Sequence, residues 1–380
     1  AFSTHYYCIF LALPLSFAIV LAWKSRGWGS VLRHLVIAGV ASAATFFLFS
    51  PFIVVEPLTA WRDITANREI VVDRAVATGA FRPAWRYLQM LWQDSISPPI
   101  VGLGLIGALW MFWKDWPRAL LLLLFPLSFF AFITNTVPAS RYLNPILPFV
   151  ALFAAWTLSQ AAARFRVATW LFWGAVGLVA IPAAAQSIRA DLFIRQADTR
   201  SMAQAYVERH FPAGSTVLIQ PYSVPVTPSR DGLVEALTRN LGRVEAASAK
   251  FQLQLSLDPY PSPSYRLIFL GRGGLDADKI YVDPAELAGA DALTPLRRHG
   301  VAFVVLKRYN GADSELMPFL AALSHSGTRV AVFTPYRSGI SMDRQAQVAP
   351  FLHNTDARID GALQRPGPVV EIWQLNGPRP

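Results

Sequence analysis

Long apolar runs separated by short polar connections fill the N-terminal half of the chain. A helix that crosses a bilayer needs about 20 predominantly apolar residues. The runs that approach this length cover residues 2–23, 33–55, 98–113, 118–137, 142–160 and 167–186. Tryptophans lie at or near the ends of several runs, as in the aromatic belts of membrane proteins. The pattern predicts a polytopic α-helical membrane bundle of about six transmembrane helices within residues 1–186.

Residues 56–97, between the second and third runs, have a different pattern. Apolar side chains recur there at roughly helical spacing, and charged side chains fill the other positions. Amphipathic helices of this kind lie flat in the headgroup layer of a membrane. We therefore expect interfacial helices at 56–97, which either anchor the bundle or border an entrance for a lipid substrate.

After residue 187, short apolar runs alternate with stretches of helical periodicity. Strands that alternate with helices favour an α/β layer with a mainly parallel sheet. The predicted strands are residues 215–219, 265–270, 279–282, 301–306, 329–333 and 369–375. The predicted helices are residues 198–211, 231–241, 284–299 and 313–326. We expect two domains, a transmembrane domain of residues 1–186 and an α/β domain of residues 187–380.

Composition and charge separate the same two halves. Charged residues make up 15% of the chain, against about 25% in soluble domains. Residues 1–186 hold 13 Lys and Arg but 6 Asp and Glu, whereas residues 187–380 hold 21 and 18. The net charge of +10 therefore comes mainly from the first half. Because no basic stretch is interleaved with aromatic residues, we expect no nucleic-acid partner.

The basic residues also predict the orientation of the bundle. Cytoplasmic loops of membrane proteins are enriched in Lys and Arg, and three short connections on one side carry them. These residues are Lys24, Arg26, Arg33, Lys114, Arg118, Arg164 and Arg166. The 187–380 domain is then extracytoplasmic. The single cysteine, Cys8, excludes an internal disulfide, and the spacing of the histidines predicts neither a metal site nor a cofactor.

Polar residues at the predicted outer ends of the membrane helices are candidates for ligand binding. Arg141, followed by Tyr142, precedes the fifth run, and its guanidinium suits either lipid headgroups or the phosphate of a lipid-linked substrate. His5, beside Tyr6, lies at the outer end of the first run and allows the same two interpretations. Charged residues after the second run either border a cavity or pair with each other at the interface. They are Glu56, Arg62, Asp63 and Arg68.

The α/β domain contains two weaker patterns. The Asp-Ala-Asp sequence at 276–278 is similar to a motif that binds a metal and a nucleotide-sugar, and Gly-Arg-Gly-Gly at 271–274 is similar to a phosphate loop. Nucleotide-sugars are scarce on the extracytoplasmic side. A surface turn after a strand is therefore the interpretation that we favour.

Several stretches of the chain together resemble one family of enzymes. They are Ser-Thr-His-Tyr-Tyr at 3–7, the helix end at 49–57, SRYLNPILPFVALFAA at 140–155, the helix-Pro-Ala-Gly-Ser-strand sequence at 198–219, VAFVVLKRY at 301–309 and the closing strand at 366–375. In order and spacing they resemble the C-terminal portion of a bacterial membrane glycosyltransferase of the GT-C type. The chain is similar to the family 39-like enzymes, which include protein O-mannosyltransferases and aminoarabinose lipid A transferases.

The resemblance implies a multi-pass enzyme of the bacterial inner membrane. Its donor is a sugar linked to polyprenyl phosphate, and the sugar is transferred with inversion to an extracytoplasmic acceptor. The resemblance places Arg141, His5, Tyr6 and Tyr142 near the donor phosphate, although relatives often have Lys where this chain has His5.

The resemblance also implies that the catalytic residues lie elsewhere. Family members carry their catalytic carboxylates in a loop after the first membrane helix, and this sequence has no such loop. We therefore expect no catalytic residue in this chain, and a missing N-terminal half or a partner subunit that supplies one. The alternative hypothesis is a non-catalytic membrane subunit whose α/β domain docks a partner in a larger complex.

Overall fold

The computed structural model describes residues 6–68, 81–136, 138–273, 276–288, 292–308, 316–351 and 359–376. The chain divides into two compact units, and the boundary lies between Ile188 and Arg189. The first unit is helical, and the second contains a six-stranded sheet with helices on both faces.

The described part of the first unit consists mainly of α-helices. In chain order, α1 to α10 are Ala12–Leu21, Trp23–Arg26, Trp28–Phe49, Phe52–Val55, Pro57–Arg68, Phe81–Met90, Pro98–Lys114, Trp116–Ile133, Leu147–Phe165 and Thr169–Ile194. Two 3-10 helices, at Tyr6–Leu11 and Ser140–Leu143, precede α1 and α9. A π-helical turn at Leu91–Ser95 follows α6. The last turns of α10 belong to the second unit.

Among the described residues, three helices are long and apolar enough to cross a membrane, namely α3, α8 and α10. The number rises to four if the bent pair Pro83–Gln93 and Pro98–Lys114 forms one broken span. The six predicted spans are therefore not confirmed. The first predicted run includes only a ten-residue α-helix, α1. Helix α9 is less apolar than the three spans because Gln160 and Arg164 lie in its C-terminal half.

Helices α7 and α9 form the most extensively packed helix pair of the first unit. A Cβ atom at Gly107 of α7 would lie 2.2 Å from the carbonyl oxygen of Phe153 in α9, and one at Gly104 would lie 2.9 Å from its nearest neighbours there. The Thr157 hydroxyl donates across the pair to the Leu103 carbonyl over 2.8 Å. Small residues that let two backbones approach are typical of helix pairs in membranes.

The second unit alternates strands and helices. In chain order, strands β1 to β6 are Thr216–Ile219, Arg266–Leu270, Ile280–Val282, Phe303–Arg308, Gly327–Phe333 and Val369–Leu375. Helices α11 to α16 are Thr199–His210, Arg230–Leu241, Ala249–Leu255, Thr294–Arg298, Met317–Ser326 and Met342–Gln347. Side-chain caps fix the starts of the two longest helices among these six. The Asp198 carboxylate accepts from the Arg200 amide at α11, and the Ser229 hydroxyl accepts from the Gly232 amide at α12.

The sheet has the strand order β3-β2-β1-β4-β6-β5. Strands β3, β2, β1 and β4 are parallel to their neighbours, whereas β6 runs antiparallel to both β4 and β5. The sheet is therefore mixed. The prediction of a mainly parallel sheet is correct for the four neighbouring strands β3, β2, β1 and β4, whereas β6 pairs antiparallel with both of its neighbours. Antiparallel strands at the edge of a parallel sheet are common, and apolar periodicity alone does not reveal the direction of a strand.

Side chains of the strands alternate between two buried clusters. Leu218, Ile268 and Val304 lie on one face with residues of α12, α14 and α15, while Val217 and Val305 lie on the other with residues of α11. Because both faces are covered by helices, the central strands are apolar on both sides.

Candidate functional site

Arg141 lies at the start of the Ser140–Leu143 turn, which precedes α9. Its side chain is exposed, whereas Leu143, two residues later, is fully buried. The Arg141 Nη2 atom donates to the Tyr142 hydroxyl over 3.4 Å, and the guanidinium carbon lies 5.1 Å from the centre of the Tyr142 ring. The turn is thus anchored in the core while its guanidinium faces outward.

A buried hydrogen bond fixes the segment that leads to this turn. The Thr136 hydroxyl donates to the Ile133 carbonyl over 2.7 Å and lies 3.0 Å from the hydroxyl of Tyr87, which is fully buried. Tyr87 belongs to α6 and Ile133 ends α8. The bond therefore joins α6 to the segment between α8 and the Arg141 turn. Sequence reasoning missed Tyr87, because its partner lies 49 residues away and nothing in the local pattern signals the contact.

The N-terminal 3-10 helix lies at the same end of α8. The Phe10 ring packs against Phe129 at 6.0 Å and against Phe132 at 5.3 Å between ring centres. Phe10 and Tyr142 both pack against one apolar cluster, to which Leu143 also belongs. The structure therefore brings the 3-10 helix that starts at Tyr6 close to the Arg141 turn. His5 lies outside the described residues.

The third part of the site is the break between α6 and α7. The two helical segments meet at an angle of 113°, and the π-helical turn Leu91–Ser95 packs against the Arg141 turn. Ser97 directly precedes α7 and is only 1% exposed. Within the part of the chain that the structure describes, the buried hydroxyls of Ser95 and Ser97 have no hydrogen-bond partner. Turns of this type occur often at functional sites, and buried polar groups without partners are rare.

The charged residues after the second run belong to α5 and to the turn before it. Glu56 lies between α4 and α5 and is exposed, and Arg62 is exposed on α5. Asp63 and Arg68 belong to the same helix. Among the described side chains, the apolar cluster beneath the Arg141 turn includes none from α4 or α5. The predicted cavity rim and the interfacial position of 56–97 therefore both stay predictions.

In the second unit, the Asp-Ala-Asp sequence is part of a tightly bonded turn. The Asp276 carboxylate accepts from the Tyr281 hydroxyl at 2.8 Å and pairs with the Lys279 ammonium at 3.0 Å. These two donors lower the pKa of Asp276. The Asn240 amide donates to the carbonyls of Ala277 and Lys279. These bonds agree with a structural turn, and among the described residues no group of three or more His, Cys, Asp or Glu is placed to hold a metal ion.

No family model and no curated protein sequence matches this chain. Its function must therefore be argued from the geometry of its own residues. The most distinctive combination is an exposed guanidinium on an anchored turn, next to a sharply bent helix pair and to helices long enough to span a membrane.

Proposed function

We propose that this chain is the C-terminal portion of a GT-C-type glycosyltransferase of the bacterial inner membrane. In this proposal the donor is a sugar linked to polyprenyl phosphate, and the acceptor lies on the extracytoplasmic side, together with the α/β unit. Arg141 binds the donor phosphate, with Tyr142 beside it and the segment of His5 and Tyr6 nearby. The membrane lipid and the lipid-linked sugar are then the partners of the first unit.

The observation that carries the proposal is the Arg141 turn. A charged residue at the end of a membrane helix usually serves a substrate or pairs with another group. A guanidinium binds a phosphate through two parallel hydrogen bonds, and a turn anchored by Leu143 presents it without a large loss of backbone freedom. The neighbouring helix break supports the same interpretation, because irregular backbone at membrane depth is found where it lines a cavity.

The chemistry divides between this chain and a part that it lacks. The acceptor hydroxyl oxygen forms a bond to the anomeric carbon while the bond from that carbon to the phosphate oxygen breaks. The hydroxyl proton passes to a carboxylate, which we assign to an upstream segment or a partner subunit. The leaving phosphate gains a second negative charge when this bond breaks, and the Arg141 guanidinium stabilises that charge as it develops.

The test compares substitutions in the full-length gene product, purified in nanodiscs. Hydrogen bonds to charged groups contribute about 1.5–3 kcal/mol, so Arg141→Ala should weaken donor binding about 10- to 100-fold. Arg141→Lys should have an intermediate effect because it keeps the charge but loses the paired geometry. Arg118→Ala is the matched control, since Arg118 lies at the opposite end of α8 with an 81% exposed side chain.

The readouts are the dissociation constant for a polyprenyl-phosphate sugar and the rate of sugar transfer. Donor affinity and turnover that are unchanged in Arg141→Ala would refute the assignment. A purified wild-type protein that binds no donor, transfers no sugar and co-purifies with other subunits would favour the non-catalytic alternative.

A further inference from the structure

The strand order of the second unit contains a point where the chain reverses its direction across the sheet. From β1 the chain passes to β2 and then to β3 on one side, and it returns to form β4 on the other side of β1. The connections of two neighbouring parallel strands therefore leave in opposite directions. In open α/β sheets, this arrangement creates a crevice at the carboxyl ends of the two strands, where ligands bind.

The residues at this crevice are held in place by hydrogen bonds. The amide of Lys307, near the end of β4, donates to the Gln220 side-chain oxygen over 3.0 Å. The amide of Gln220, which follows β1, donates to the Val305 carbonyl over 3.0 Å. The two strand ends are thus locked together. Tyr222 follows two residues after Gln220, and its ring lies 5.3 Å from the Lys307 ammonium.

The backbone conformation of Tyr222 and the exposure of its side chain are not explained by packing of the fold. Its φ angle is +66°, a left-handed conformation that non-glycine residues rarely adopt. Its side chain is 81% exposed, so the ring contributes little to the core. Residues held in such conformations concentrate at binding sites, where the surrounding structure fixes them for a purpose other than packing.

Further aromatic rings lie on the neighbouring strands β2 and β3. The Tyr281 ring of β3 packs over Gly271, where an added Cβ would lie 3.2 Å from it. Phe269 of β2 lies 6.0 Å from the same ring, and the Lys279 ammonium lies 5.5 Å from the Phe269 ring. Burial, and next the hydrogen bond to Asp276, raise the pKa of Tyr281. The Lys279 ammonium already pairs with the Asp276 carboxylate at 3.0 Å, whereas the Lys307 ammonium lies beside the Tyr222 ring.

The details of the first crossover argue against a dinucleotide. Dinucleotide sites place the pyrophosphate at a helix that begins directly after a glycine-rich turn. Here β1 is followed by Gln220-Pro221-Tyr222, and the amide of Gly232 at the start of α12 is already occupied by the Ser229 hydroxyl. The exposed ring of Tyr222 instead suits the apolar face of a sugar ring, and the Lys307 ammonium beside it suits an acidic substituent.

We infer that the carboxyl ends of β1 and β4 bind a saccharide that carries an anionic group, with its ring on Tyr222 and its anion at Lys307. This inference concerns a second ligand site in the α/β unit. It goes beyond the proposed function and does not depend on it, because the site includes none of the residues assigned to the lipid-linked donor.

The test uses the full chain in lipid nanodiscs and saturation-transfer difference NMR with glucuronic acid and glucose 6-phosphate. Glucose and inorganic phosphate serve as reference ligands. We expect both acidic sugars to bind at least tenfold more tightly than either reference, and the stronger of the two identifies the carboxylate or the phosphate as the preferred anion.

Three variants make the test specific. Tyr222→Gly removes the ring and fits the left-handed backbone better, so it should lose at least tenfold in affinity while the protein remains folded. Lys307→Gln should weaken the acidic sugars and leave glucose unchanged. Arg298→Gln makes the same charge change on α14, which precedes the amino end of β4, and should have no effect.

Two results would overturn the inference. One is a wild-type protein that binds neither acidic sugar more tightly than glucose and phosphate. The other is a Tyr222→Gly protein that retains wild-type affinity. Loss of donor binding in the Arg141 variants would not change either readout, so the two proposals can fail separately.

Discussion

Replacing Gly107 by Ala should separate helices α7 and α9. A Cβ atom at Gly107 would lie 2.2 Å from the Phe153 carbonyl oxygen and 2.4 Å from the Thr157 hydroxyl oxygen. Ordinary van der Waals contact begins at 3.4 Å. The Phe153 oxygen belongs to the backbone and cannot rotate away, so the helices must move apart by about 1 Å to restore normal contact.

Two contributions set the size of the effect. Overpacking of a close contact costs about 1–3 kcal/mol. A separation of this size also stretches the 2.8 Å hydrogen bond from the Thr157 hydroxyl to the Leu103 carbonyl beyond bonding distance. An interhelical hydrogen bond in a membrane protein contributes about 0.6 kcal/mol. We expect Gly107→Ala to lower the free energy of unfolding by about 2–3 kcal/mol.

The same helix supplies graded controls. A Cβ at Gly104 would meet Val150 at 2.9 Å, so Gly104→Ala should destabilise less than Gly107→Ala, whereas Gly102 has nothing within 4 Å. Gly102→Ala should be neutral or slightly stabilising because Ala favours helix more than Gly does. The measurement is unfolding in mixed micelles with increasing dodecyl sulfate, followed by circular dichroism. Equal stability of the three variants would refute the close approach of α7 and α9.

Two further predictions concern the second unit. Arg266 pairs with Glu235 at 2.6 Å and lowers the pKa of the Glu235 carboxyl. Folding therefore favours the ionised carboxylate, and the stability that this ion pair contributes is lost as the pH falls through the pKa of the folded state. Because the Glu235 side chain is 41% exposed, Glu235→Gln should lower the free energy of unfolding by only about 1 kcal/mol at pH 7 and by almost nothing at about pH 3. Urea titrations at both pH values measure the difference. Equal losses of stability at the two pH values would contradict the linkage. The Tyr336 hydroxyl donates to the buried Val348 carbonyl over 2.7 Å, so Tyr336→Phe should lower the unfolding free energy by about 1–2 kcal/mol. Tyr206→Phe, which removes a 3.4 Å bond, should cost less in the same titration.

Much of the α/β unit could be predicted from the sequence. Every predicted strand overlaps a strand of the structure, and residues 369–375 coincide with β6. Short runs of β-branched residues between turn residues are typical of strands, so the pattern predicts them well. The predicted helix at 284–299 is instead two short elements, Pro284–Leu287 and Thr294–Arg298. Its apolar residues are spaced as in a helix, but Pro295 favours the start of a new helix rather than the continuation of an old one.

The candidate sites include contacts that the sequence alone could not predict. Arg141 and Tyr142 are neighbours in the chain, so their association needed no tertiary information. The contact of Tyr87 with Thr136 depends on how two helices pack, and no local pattern encodes it. Lys307 was not identified as a site residue because the apolar run that predicts β4 ends at Leu306, whereas the strand continues to Arg308. The position of the crevice depends on the order of the strands in the sheet, and the hydrophobic pattern of the sequence does not determine that order.

The position of β6 has a consequence for biogenesis. Strand β6 lies between β4 and β5, although it is synthesised after both, and β5 ends at Phe333 while β6 begins at Val369. At ordinary translation speeds this interval lasts roughly 2–7 s. During that time β4 has an open, apolar edge and β5 lacks its neighbour, which is the state in which sheets pair with the wrong chains. A ribosome stall or a proteolytic cut between β5 and β6 would therefore leave the sheet incomplete on one side. We expect chaperones and proteases to act on this protein mainly at that stage of its synthesis.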